Sequence, residues 1–180
     1  MSHELEPVSH GLPLRRVAGG GASDPAAALA LPERRYLPGK GERHAEDAFD
    51  SIKALCPRRT DDAGARANVA WRYGLRLVNA GFHWEAHEVL ETVWMRAAPN
   101  SRERSLVRAV IHIANGALKT AIGKPAAAAR LAGLARECVA DAFAGERLFL
   151  MGLQAVDLEA LCDALAAGET LPALKEEYEI

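Results

Sequence analysis

Aromatic residues are scarce in this sequence of 180 residues, at 6%, and the Val, Ile and Thr runs that favour β-strands are nearly absent. Alanine, the strongest helix former, is abundant instead. No apolar stretch approaches the roughly 18 residues that a membrane-spanning helix needs. The first residues also lack the basic stretch followed by an apolar one that marks a secretory signal. These absences favour an all-α protein of the cytoplasm that does not cross a membrane.

Neither sign of charge is in excess, because 22 Lys and Arg face 24 Asp and Glu for a net charge of −2. Such a chain is not expected to bind nucleic acid or an anionic membrane as its general partner. Cysteine is also rare: Cys56, Cys138 and Cys162 are far apart, odd in number and form no C-x-x-C pair. No disulfide framework is therefore expected, which agrees with a reducing cytoplasm.

Proline and glycine divide the chain into a tail and a helical domain. Residues 1–40 hold five of the nine prolines and a run of three glycines, so this part cannot bury enough apolar surface to become ordered. We predict a flexible tail over residues 1–33 and a helical domain over residues 34–180. Predicted helices cover residues 43–55, 62–79, 82–97, 100–122, 125–143 and 156–167. Their short connections indicate a compact bundle of five or six helices, with Asn100 as the N-cap of the fourth.

The third predicted helix concentrates ionisable side chains among bulky apolar ones. On a helical wheel at about 100° per residue, His83, His87 and Glu91 lie beside the apolar arc and are flanked by apolar residues on both sides. Glu85 and Glu88 fall on the solvent face. Because a helix that is apolar around most of its circumference lies inside a bundle, we expect the first three side chains to be partly buried.

Three interpretations of this helix stay open. The histidines and carboxylates could form a structural polar network that satisfies its own hydrogen bonds. His83 and His87, or His87 and Glu91, have the i, i+4 spacing that chelates a divalent metal, with a further ligand such as His112 from another helix. A His–Glu pair could also serve metal-free acid–base catalysis. The candidate catalytic residues are His83, His87, Glu88, Glu91 and His112, and the candidate metal ligands are His83, His87, Glu91 and His112.

The fourth predicted helix carries a polar stripe of Arg108, His112, Asn115 and Lys119 beside its apolar one. This stripe is either a solvated face or a largely basic surface set against the carboxylates. His112 is the one other histidine that we expect inside the bundle, because His44 lies near the end of the tail.

One carboxylate of this helix carries a sharp expectation. Because the wheel places Glu91 beside the histidines, we expect it to accept hydrogen bonds from a histidine or a tryptophan indole inside the bundle.

The segment 82–94 reads Phe-His-Trp-Glu-Ala-His-Glu-Val-Leu-Glu-Thr-Val-Trp, and it resembles the motif aromatic-x-x-E-A-H-E-x-L-E-x-x-W of the DUF309 family. The residues that carry the motif are Glu85, His87, Glu88, Glu91 and Trp94. Residues 106–132 and 35–41 resemble two further blocks of that family. His112 stands where the family often has Gln, and Lys119 where it often has His. The resemblance implies a small all-helical protein and no function, since that of the family is unknown. It also places Glu88 directly after His87 in the most distinctive part of the motif. We therefore expect Glu88, although the wheel turns it towards solvent, to meet a cation from another element. The candidate cations are Arg34, Arg35, Arg108 and Lys119.

Two classes of function follow. The first is a non-enzymatic scaffold or interaction module, whose motif side chains are sealed and bonded to one another. The second is a metal-dependent or acid–base enzyme, hydrolase-like, whose cleft reaches them. The sequence names no small-molecule ligand. We further expect a homodimer, because the long third and fourth helices offer more apolar surface than a small bundle hides.

Overall fold

The structure, a computed structural model, describes residues 24–145 and 148–178. Six α-helices and one two-stranded antiparallel sheet account for its regular structure, with a single turn of 3₁₀ helix at Ala65–Ala67. The helices are α1 (Asp50–Lys53), α2 (Val69–Asn79), α3 (His83–Met95), α4 (Arg102–Ala121), α5 (Pro125–Ala142) and α6 (Ala155–Ala167), and the strands are β1 (Phe149–Leu150) and β2 (Leu153–Gln154). The predicted all-α bundle is confirmed. Among the described residues, no helix is long and apolar enough to cross a membrane.

Local signals end most helices where the sequence predicts. Gly81 follows α2 with φ of 78° and Gly168 follows α6 with φ of 72°, a left-handed conformation that glycine adopts without strain. Pro125 opens α5, where its missing N–H costs nothing. The predicted N-cap of α4 is wrong by one residue: the hydroxyl of Ser101, not Asn100, accepts a hydrogen bond from the Arg104 N–H at 3.1 Å. Asn100 instead makes a left-handed turn at φ of 58°.

The first two helices are shorter than predicted. The segment 43–55 forms turns around the single helical turn of α1. The helix predicted to begin at residue 62 begins only at Val69, since the side chain of Asn68 accepts a hydrogen bond from the Trp71 N–H at 3.1 Å. This bond is an N-cap, and it stops the helix from extending towards the N-terminus.

Residues 24–49 run along α2 and then over α3, and we call this segment the N-terminal strap. Leu29 packs into the core and is only 7% exposed. The Tyr73 hydroxyl donates a hydrogen bond to the Ala30 carbonyl at 2.8 Å. Arg76 reaches the same stretch, donating to the Ala26 carbonyl at 3.1 Å. The tail boundary expected at residue 33 therefore falls inside a packed segment, because composition does not reveal the partners that pair its backbone. Residues 1–23 lie outside the described residues.

The two ends of the described chain meet on α2. Arg72 forms ion pairs with Asp24 of the strap and with Glu176 of the C-terminal segment, the latter at 3.0 Å. The Asn79 amide donates to the Leu174 carbonyl at 2.9 Å and accepts from the Leu174 N–H at 2.8 Å. Helix α4 packs against α3, α5 and α6. Because α3 contacts α4 on one side and the strap on another, it lies between them.

Alanine substitution should have opposite effects on stability at two helical glycines, Gly74 at the crossing of α2 with α3 and Gly133 of α5. A Cβ atom at Gly74 would lie 2.7 Å from Leu90 Cγ, whereas one at Gly133 of α5 would meet nothing within 4 Å. We expect Gly74→Ala to lower the free energy of unfolding by about 1–3 kcal/mol through overpacking. Gly133→Ala should raise it by roughly 0.5–1 kcal/mol through helix propensity. Urea unfolding measures both, and equal stabilisation by the two variants would contradict this account of the crossing.

Candidate functional site

Glu85 is the buried carboxylate of the motif, and its predicted place on the solvent face is wrong. The side chain is 1% exposed. Its Oε1 accepts a hydrogen bond from the Tyr36 N–H at 2.6 Å and lies 2.8 Å from Nε2 of His44. Both partners belong to the strap, which covers the face of α3 that a helical wheel leaves open to water. A wheel orders residues around one helix and contains no information on a distant segment.

His44, which the sequence reading placed near the end of the tail, is buried in this network, with its side chain 7% exposed. Its ring stacks on Trp84 at 5.7 Å between centroids with 17° between planes, and Phe49 approaches it edge-on at 5.4 Å. A histidine in this sandwich is held by its aromatic faces and has one nitrogen directed at Glu85. The sequence signal for it is weak, since His44 stands among charged residues.

Trp84 provides the surface on which the strap lies. Tyr36 meets it edge-on at 5.1 Å with 81° between planes, and the Arg43 guanidinium lies 5.3 Å from the centre of the indole ring. Aromatic and cation–π contacts of this kind add to simple burial. We call Tyr36, His44, Trp84 and Glu85 the strap anchor.

Glu88 meets a cation from another element, as expected, but the cation is not one of those predicted. Its Oε2 lies 3.6 Å from Nζ of Lys53, with the two side chains 22% and 25% exposed. The expectation for Glu91 is wrong, because this residue is exposed. The side of α3 that carries Glu91 faces solvent, whereas the wheel placed it next to the histidines.

His87 lies on the other side of α3, against α4. Its Nδ1 is 3.2 Å from Nδ2 of Asn115, a member of the predicted polar stripe. His112 of the same stripe is near enough to His87 and Arg108 for both to disfavour its protonation. Neither ring nitrogen of His112 has a hydrogen-bond partner although both are buried. The structure therefore brings His87, His112 and Asn115 together and leaves Glu91 outside.

Two histidines near α4, His83 and His112, favour the uncharged form of the imidazole. Burial, assisted by the positive charge of Arg35, lowers the pKa of His83 from 6.5 to about 4. Burial is also the largest cause that lowers the pKa of His112, followed by Arg108 and His87. A neutral imidazole has one donor and one acceptor nitrogen, and Nδ1 of His83 is buried without a protein partner. His83 thus keeps a hydrogen-bonding nitrogen that the fold does not use.

The predicted metal ligands come together only in part: His87 and His112 are close to each other, whereas Glu91 is exposed. In residues 24–145 and 148–178, no three or more His, Cys, Asp or Glu side chains form a group that could hold a metal ion. Trp94 of the motif is instead packed under Arg104, whose guanidinium lies 3.8 Å from the ring centre and donates to the Trp94 carbonyl at 3.1 Å. This residue closes the end of α3 against α4.

The cysteines offer no nucleophile. All three are free and buried, and burial raises each pKa above its usual value, to about 11 for Cys162. Because the thiolate is the reactive form, these side chains act as small apolar groups.

These features define a small all-α protein with a buried carboxylate–histidine network between its central helix and an N-terminal strap. Residues 71–131 match the sequence model of DUF309, a domain of unknown function, which confirms the resemblance seen in the His–Glu helix. The match spans all of α3 and α4, whereas Tyr36 and His44 lie outside it. No match was found among curated proteins or among solved structures.

The lowered pKa of His83 predicts a dependence of stability on pH. Between pH 6.5 and 4, an unfolded chain binds a proton at His83 that the folded protein does not, so stability falls as the pH falls through this range. A shift of the pKa from 6.5 to about 4 corresponds to a loss of folding free energy of about 3 kcal/mol once the pH is well below 4.

We expect His83→Phe to have a smaller difference in free energy of unfolding between pH 7 and pH 4.5 than the unchanged protein. Urea unfolding at the two pH values measures it, and comparison of the two differences removes the contribution of all other titrating groups. An identical pH dependence in both proteins would show that His83 is not held neutral.

Proposed function

We propose that this protein is a non-enzymatic helical scaffold or interaction module, in which the His–Glu motif fixes the packing of α3 and holds the strap in place. The observation that carries this proposal is the burial of Glu85, at 1% exposed, with its bonded oxygen shared between Tyr36 and His44 of the strap. An enzyme needs a carboxylate that substrate can reach, whereas a scaffold needs one that is sealed and bonded.

The energetics of burial support a positioning role for Glu85. A carboxylate removed from water loses several kcal/mol of hydration free energy unless hydrogen bonds replace it. The Tyr36 N–H and the His44 ring supply such bonds to Oε1 only when the strap lies on α3, whereas Oε2 is buried without a partner among the described residues. The strap in turn gains an acceptor for a backbone N–H that is partly buried. Each side therefore stabilises the other, and the pair specifies one register of the strap on the helix.

The polar side chains of α3 point to different neighbours, so they do not meet at one site. This arrangement also favours a scaffold. Glu85 contacts the strap, while His87 contacts Asn115 of α4. General acid–base catalysis by a His–Glu pair requires the two groups within hydrogen-bond reach of a common substrate. Among the described residues, the His–Glu pair within hydrogen-bond distance is His44 with Glu85, and both side chains are nearly closed to solvent at 7% and 1% exposed.

The alternative function is a metal-dependent or acid–base enzyme of the α3–α4 interface. The observation that favours it is the pair of buried ring nitrogens of His112 that have no partner, next to His87.

We further propose a cytoplasmic location, which the free cysteines support. We also propose a homodimer, for which exposed apolar side chains such as Met95 at 64% and Val156 at 62% offer contact area.

Replacement of Glu85 tests the scaffold proposal. Glu85→Gln removes the charge that both strap partners bond, and we expect it to lower the free energy of unfolding by about 2–3 kcal/mol. The matched control is Glu91→Gln, the same change on an exposed position of the same helix, which should cost under about 0.5 kcal/mol.

A second measurement ties the loss to the strap. Trypsin should cleave the Glu85→Gln variant faster than the unchanged protein at the basic residues of the strap. These side chains are already exposed, but cleavage requires the backbone around them to detach from α3. A double-mutant cycle with His44→Gln should give a coupling energy of about 0.5–3 kcal/mol. If Glu85→Gln is as mild as Glu91→Gln, or if the strap stays protected, Glu85 does not anchor it.

Metal analysis separates the scaffold from the enzyme alternative. We expect purified protein to carry no stoichiometric divalent metal, because the described residues assemble no group of three ligands, and we expect His87→Ala to leave the metal content unchanged. A stoichiometric metal that His87→Ala removes would contradict the scaffold proposal and support a metal-dependent enzyme.

A further inference from the structure

A cleft of about 420 Å³ opens beside the first turn of α3. Its walls come from the end of α2, the C-terminal part of α4, and the loop that follows α6. His83 lines it, as do Ala117 and Thr120 of α4 and Leu171 of the loop. The volume falls in the range of about 300–1,000 Å³ that is usual for small-molecule sites. The cleft lies on a different side of α3 from the strap anchor.

The loop wall of the cleft is held at both ends. At one end the Glu169 N–H donates to the Ala164 carbonyl at 2.8 Å, a C-capping bond at the end of α6. At the other end, Leu174 exchanges two hydrogen bonds with the Asn79 side chain. Between them, Leu171 packs against the core. A wall fixed at both ends keeps the cleft open without a ligand, and a preformed site binds with less loss of conformational entropy.

Apolar side chains make most of the lining. Val78, Ala117, Leu165 and Pro172 contribute aliphatic surface, and the polar contribution of Thr120 is reduced because its hydroxyl already bonds the Gly116 carbonyl. Such a surface binds an apolar body.

We propose that this cleft is a binding site for a small uncharged molecule with an apolar body of about two fused rings and one hydrogen-bonding group, which pairs with His83. The imidazole of His83 lines the cleft. Its Nδ1 is buried without a partner among the described residues, so a ligand pairs with the ring through the other nitrogen, Nε2. An apolar site with a few hydrogen-bonding groups that fix orientation is the usual design of a ligand pocket.

Charge selects against ionised ligands of either sign. Burial first, and the positive charge of Arg35 second, lower the pKa of His83, so an added positive charge is unfavourable there. Glu169 is the carboxylate of the lining, but it is exposed, so water screens its effect on a charged ligand of either sign. An ionised group would also lose hydration against the apolar walls.

Three probes of matched shape test this charge selection. At pH 7, 2-naphthylmethanol is neutral, 2-naphthoate is an anion and 2-naphthylmethylamine is a cation. We expect saturable binding of the alcohol, with amide resonances of the lining residues shifting in ¹H–¹⁵N spectra. The anion and the cation should bind at least roughly 10-fold more weakly.

Two variants with one control place the binding in the cleft. Ala121 is exposed and lines the mouth, so Ala121→Phe should block the alcohol without disturbing the core. Ala129→Phe makes the same change on an exposed position of α5 outside the lining and should leave binding unchanged. His83→Phe keeps the ring shape but removes the nitrogens, and it should weaken binding of the alcohol by roughly 5-fold, the loss of one hydrogen bond.

The proposal is overturned if the alcohol does not saturate, if either charged probe binds as tightly, or if Ala121→Phe and Ala129→Phe behave alike. Because Ala121 is at the surface, its variant gives an answer even if His83→Phe does not fold. The site is independent of the scaffold proposal: Glu85→Gln can fail to release the strap while the cleft still binds the alcohol, and the reverse also holds.

Discussion

A carboxylate cut off from water needs hydrogen bonds in place of its hydration, and for Glu85 the bonds come from a segment distant in sequence. They reach one oxygen, Oε1, while Oε2 is buried without a partner among the described residues. Tyr36 is 49 positions away and His44 is 41. Glu85 therefore contributes to the position of the strap on α3, together with the aromatic contacts of Tyr36 and His44 with Trp84. The same strap continues along α2, where Arg76 and Tyr73 hold its carbonyls. The strap is thus held on α3 by Glu85 and Trp84 and on α2 by Arg72, Tyr73 and Arg76.

The motif on α3 serves two interfaces rather than one site. Trp84, Glu85 and Glu88 face the strap and α1, while His87 and Trp94 face α4. Residues that are neighbours in sequence are about 100° apart around a helix, so a dense run of polar and aromatic residues supplies both faces. This division explains why the His and Glu side chains, so close in sequence, form no common ligand group among the described residues.

The helical fold was predictable because its signals are local: apolar periodicity, Gly81 and Gly168 as stops, and Pro125 as a start. The candidate site was predictable only in part. The partner of His87 came from the stripe identified on α4, and Glu88 did find a cation. The burial of Glu85 and the role of His44 depend on long-range packing of an irregular segment, which has no periodicity to read. For the same reason the exposure of Glu91 was missed, since a wheel shows angles around a helix and not which angles a neighbour covers.

The strap and the cleft are connected through Arg35, which lies near His83. The causes of the lowered pKa of His83 show how strong this connection is. Arg35 of the strap places its guanidinium 5.4 Å from the centre of the Phe82 ring and disfavours a charge on His83. Burial is nevertheless the larger cause of the lowered pKa. As long as His83 remains buried, its imidazole is therefore mostly neutral at pH 7 with or without Arg35. The cleft keeps its uncharged character independently of the strap, so the two sites are neighbours on α3 and only weakly coupled.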